Sequence, residues 1–83
     1  MRPRPETPPA PTPEREPAWR AACLAYREQR RAGASHHTAW LIAVVALREV
    51  WPLPLEDAKR ETTQAITYAS THHTKWFWDG VGG

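Results

Sequence analysis

The chain has 83 residues and a net charge of +2, which allows one small domain and excludes a large core. So small a charge does not demand an acidic partner, and the single cysteine, Cys23, excludes an internal disulfide and fits a reducing compartment. The longest apolar run, Ala39–Leu47, falls well short of the roughly 20 residues that span a bilayer. The basic start, Met1–Pro5, is followed by prolines where a signal peptide would place its apolar segment. We therefore expect a cytoplasmic protein that does not enter the membrane.

Seven of the nine prolines lie in Met1–Pro17. Residues 1–16 hold no aromatic side chain and no aliphatic one beyond Met1 and alanine, so they cannot bury enough surface to offset the entropy of ordering. We expect a disordered proline-rich arm over 1–16, a three-helix domain over 17–79 and a frayed end over 80–83. Pro8-Pro9-Ala10-Pro11 samples the extended polyproline conformation that aromatic grooves accept.

The first helix opens near Pro17, a residue suited to a first turn. Trp19, Ala22, Cys23 and Tyr26 fall on one face, with Arg20, Arg27, Glu28 and Arg31 away from it. Gly33 ends the helix by adopting the left-handed conformation that other residues resist. Ser35 is a good N-cap for a second helix running to about Val50. That helix is apolar on nearly all sides, the pattern of a buried central helix or of one covered by a partner. Leu41 and Val45 are accordingly expected in its core. Pro52 ends it and pushes Trp51 toward an extended backbone. The third helix starts at Pro54 or Leu55, with Glu56 and Asp57 where the helix dipole favours negative charge. Leu55, Ala58, Thr62, Ala65, Ile66, Ala69, His73 and Trp76 share its apolar row, which predicts a helix to about Trp78. The fold class is all-α, a three-helix bundle.

Ala46–Lys59, through Leu53, Leu55, Ala58 and Lys59, resembles the helical hairpin in the C-terminal domain of the bacterial ribosomal stalk protein. Pro52 and Pro54 stand where that family has glycines. The resemblance implies a helical hairpin that docks protein partners.

Four histidines sit in a near-repeat: Ser35-His36-His37-Thr38-Ala39-Trp40 and Thr71-His72-His73-Thr74-Lys75-Trp76, offset by 36 residues. Imidazoles suit zinc and related ions, which makes His36, His37, His72 and His73 a candidate metal set. Neighbouring helical residues point about 100° apart, so each pair offers one ligand readily. No cysteine or carboxylate adjoins either pair, and we expect no metal and no cofactor. The catalytic types present lack an oriented third partner, and no phosphate-binding loop occurs, so we expect no enzyme. Arg20, Arg27, Arg30 and Arg31 give the first helix a basic face, the basis of a nucleic-acid-binding alternative. Trp76, Phe77 and Trp78 cannot all face one core. With His36 and Lys75 they make the candidate partner surface, aromatic side chains being enriched at binding hot spots. The function expected from the sequence is that of a non-enzymatic interaction module that binds and modulates or inhibits a larger macromolecule. The partner is another protein or complex, with a second copy of the chain as an option.

Overall fold

The computed structural model describes residues 10–72 and Lys75. Three α-helices follow one another: α1 (Glu16–Arg31), α2 (His36–Val50) and α3 (Leu55–His72). Pro17 lies in the first turn of α1, where its missing N–H costs nothing. The chain leaves α1 through Ala32 and Gly33, whose φ of 99° is the left-handed conformation expected of it. Ser35 caps α2, its hydroxyl accepting from the Thr38 N–H at 3.2 Å. Trp51 is extended, as the following proline requires. No single helix among the described residues is long and apolar enough to cross a membrane.

The core is built from small residues. Ala18 and Ala22 of α1, Ala39 and Ala43 of α2, and Ala58, Ala65 and Ala69 of α3 are buried, joined by Trp19, Cys23, Tyr26, Val44, Leu47 and Ile66. Alanine lets helix backbones approach closely, and the space that remains admits few larger side chains. The α1 face read from the sequence is the buried face.

The structure differs from these expectations at Leu41 and Val45 and at Leu55. Leu41 and Val45 are exposed by 43% and 57%, and Ile42 between them by 36%. The apolar surround of α2 is therefore two unlike faces: Ala39, Ala43, Val44 and Leu47 turn inward, while Leu41, Ile42 and Val45 turn outward. Leu55, assigned to the apolar row of α3, is also exposed, because it precedes the point where α3 meets the bundle at Ala58. An antiparallel α2–α3 pair would have brought the two histidine motifs to one end. Instead α3 turns through 111° from α2, and the first turn of α2 lies beside Thr63, Ile66 and Thr67 in the middle of α3.

A buried carboxylate ties the elements together. Glu61 accepts from the Trp19 indole N–H at 2.8 Å and lies 3.8 Å from the Arg15 guanidinium. Arg15 also sits over the Trp51 ring, 5.9 Å from its centre. The expected arm falls mostly outside the described residues. Its last residues meet the bundle through Arg15 at Glu61 and through Pro11 beside α1 and α3, and the Thr12 carbonyl accepts locally from the N–H groups of Arg15 and Glu16, both at 2.9 Å.

Two substitution pairs test this packing. Leu47→Asp buries an unpaired charge and should abolish the helical circular dichroism signal, whereas Val45→Asp should keep it. Glu61→Leu leaves the Trp19 N–H without an acceptor and should lower unfolding free energy by about 1–3 kcal/mol in urea titrations. Glu61→Gln, which keeps an acceptor oxygen, should cost less.

Candidate functional site

Between α1 and α3 the bundle is open along a groove of about 450 Å³. Its floor is Cys23 with Ala65 and Ala69. Leu24 and Arg20 stand on the α1 rim, Tyr68 forms the α3 wall, and Pro11 lies at one end. Glu16, Arg20 and Leu24 line one side because they are four residues apart on the same helix face. The Arg20 guanidinium pairs with the Glu16 carboxylate one turn before it, so the rim is polar but locally neutral. Aromatic rings run along the α3 side. Trp19 and Tyr68 lie 5.9 Å apart with planes inclined at 56°, and Tyr68 and His72 lie 4.5 Å apart. Such tilted pairs suit the ring quadrupoles.

Burial pushes the Cys23 thiol up to about 12, so at neutral pH it is a protonated thiol. It donates weakly to the Ala65 carbonyl at 3.4 Å. A nucleophile would need the opposite shift.

A shallower hollow of about 260 Å³ lies where α2 crosses α3, lined by His36, His37, Trp40, Thr63, Ile66 and Thr67. The Trp40 indole N–H donates to the Thr63 hydroxyl at 3.1 Å, holding the two helices together. His36 Nδ1 lies 2.7 Å from the hydroxyl of the buried Tyr26. Desolvation raises the Tyr26 phenol above its ordinary value, partly offset by the charge of Arg30.

The structure parts several residues that the sequence grouped. His36 is engaged by Tyr26, His37 stacks on Trp40 at 6.3 Å, and His72 packs on Tyr68. His73 lies outside the described residues, and among those described no three metal-ligating side chains converge. Of the expected partner surface, His36 and Lys75 are exposed, while Trp76, Phe77 and Trp78 lie outside the described residues. The four arginines of α1 differ in how far they are engaged within the chain. Arg20 pairs with Glu16, Arg27 lies 3.9 Å from Glu28, Arg30 donates to the Ala34 carbonyl at 3.1 Å, and Arg31 is exposed. Sequence reasoning missed Glu61, although a carboxylate four residues before Ala65 on the apolar row was a visible signal. It also missed the groove, which no local pattern encodes.

Compared with protein-family models, curated proteins and solved structures, the chain gives no match to any of the three.

The Cys23 thiol sets a pH dependence. It ionises in the unfolded chain at an ordinary value of about 8.5 but stays protonated in the fold. Above that pH the unfolded state binds fewer protons, so stability should fall by about 1.4 kcal/mol per pH unit as pH rises toward the folded value. Urea unfolding between pH 8 and 10 checks this. A Cys23→Ala chain should show a flatter profile over the same range.

Proposed function

We propose that this chain is a small, non-enzymatic, cytoplasmic interaction module that recognises another protein through the α1–α3 groove. The observation that carries this reading is the groove itself, an open channel with an apolar floor and an aromatic wall, bordered by the exposed Leu24. Small-molecule sites enclose most of their ligand. A partly open groove instead suits an apolar side chain, or a short helix, presented by a partner. The rim supplies polar groups at Arg20 and Glu16, the arrangement of an apolar centre with a polar border that protein interfaces use.

The protonated Cys23 thiol suits packing in the groove floor. Lys75 and the Trp76, Phe77 and Trp78 that follow it in sequence remain candidate contact residues by residue type alone. Modulation or inhibition of a larger assembly is the role such a module would serve. The nucleic-acid alternative through Arg20, Arg27, Arg30 and Arg31 draws less support, because three of the four are engaged within the chain.

Leu24→Glu places a charge on the groove rim without disturbing the core. Affinity capture from the source organism's lysate should recover a partner with the wild-type chain and with a control carrying Thr67→Glu at an exposed position on the other side of α3. The Leu24→Glu chain should recover at least about tenfold less, the loss of a side chain worth roughly 1.4 kcal/mol or more. Equal recovery by all three would remove the groove from the reading.

A further inference from the structure

We propose that the outward face of α2 is a self-association surface, on which a second copy of this chain seats its own α2 side by side and in parallel. The inference does not depend on the groove, which contains no α2 residue. It starts from an inverted distribution of side chains. Ala39 and Ala43 are fully buried, whereas the larger Leu41, Ile42 and Val45 face water. Residues 38–47 carry no charged side chain. A helix face meant for solvent normally places charge there, and contiguous exposed aliphatics mark an interaction surface.

The charges that border this face indicate what covers it. At 3.6 residues per turn, Arg48 lies about 60° to one side of Val45 and Glu49 about 40° to the other. Both are exposed. A two-fold axis running along the helices sets the left border of one copy against the right border of the other. Each Arg48 then meets the second copy's Glu49, twice, by symmetry, while Leu41 and Val45 meet their own counterparts across the axis. Antiparallel pairing would instead set Arg48 level with the other copy's Leu41, and Glu49 level with Thr38 and Ile42, pairing no charges. Arg48 spends its Nε on the Leu53 carbonyl at 3.0 Å, which leaves the terminal nitrogens of the guanidinium to reach across.

The same features disfavour other occupants. A charged partner finds no countercharge on this face before Arg48. A membrane-surface helix would carry several lysines or arginines beside its apolar face, and α2 carries one arginine.

The test is oligomeric state together with pairing geometry. Sedimentation equilibrium of the full chain should give twice the 9.5 kDa monomer mass. Val45→Glu should weaken association by about two orders of magnitude with the helical spectrum retained. Glu49→Arg should weaken it by juxtaposing like charges, and adding Arg48→Glu to that chain should restore it. Val45→Cys and Leu41→Cys should each form a disulfide with itself under mild oxidation, the buried Cys23 remaining unreacted. A wild-type chain that stays monomeric overturns the proposal, whether or not it floats with phosphatidylcholine–phosphatidylglycerol vesicles. So does a dimer indifferent to Val45→Glu. Cross-links found only between Leu41→Cys and Val45→Cys chains, with neither linking to itself, overturn the parallel pairing.

Discussion

Close approach of the three helices across alanine is the constraint from which the rest of this structure follows. Seven alanines, from Ala18 to Ala69, occupy the core. Each contributes little apolar area, so burial alone supplies modest stabilisation for a domain of this size. The gain lies in backbone proximity and in low side-chain entropy, since an alanine loses no rotamers on burial. Leu41, Ile42 and Val45 lie on the outside of α2, Leu55 lies ahead of the point where α3 joins the bundle, and Leu24 stands on the rim of the groove. The exposed apolar surface of the described residues is therefore carried largely by these side chains.

Where the core does admit large groups, it binds them by polar contacts as well as by packing. Trp19 fills the space between α1 and α3, and burial of its ring carries the indole N–H away from water. An unmet donor there costs free energy, and Glu61 meets it. The carboxylate is in turn nearly buried, and a charge in that position is tolerated only with partners. Arg15 provides one, and so binds the entry of α1 to α3. The same guanidinium covers Trp51 in the α2–α3 connection. The entry of α1 is thereby joined to α3 at one carboxylate and to the α2–α3 connection through Arg15. Trp40 does the equivalent at the other crossing, through Thr63.

Much of this was legible in the sequence because local chemistry dictates it. Proline in the first turn of α1, glycine at its end, serine before α2 and Trp51-Pro52 after it mark boundaries by backbone preference alone, and the helices begin and end there. The buried face of α1 followed from its spacing. For α2, periodicity failed for a definite reason. A helix apolar all round gives no moment, so composition names no inward side, and only the positions of α1 and α3 select Ala43 and Leu47 over Leu41 and Val45. The direction of α3 was equally illegible, since a four-residue connection with two prolines permits a hairpin or a 111° turn alike. The groove arises from that turn, and so no motif announces it. His36, His37 and His72 looked like a set because they recur in similar words. In space each has its own aromatic neighbour, Tyr26, Trp40 and Tyr68.

The two surfaces are separable, and their separation has a consequence for binding. The groove draws on α1, α3 and Pro11, while the paired face belongs to α2 alone. Side-by-side pairing through α2 therefore leaves a groove on each copy unobstructed by the contact that joins them. A dimer of this form presents two identical binding channels in fixed relation. For a partner with two matching elements, the second engagement becomes intramolecular, and overall affinity can exceed that of one groove by about 100-fold or more when the spacing fits. The outward aliphatics of α2 would then be what converts a marginal single-site binder into a bivalent one.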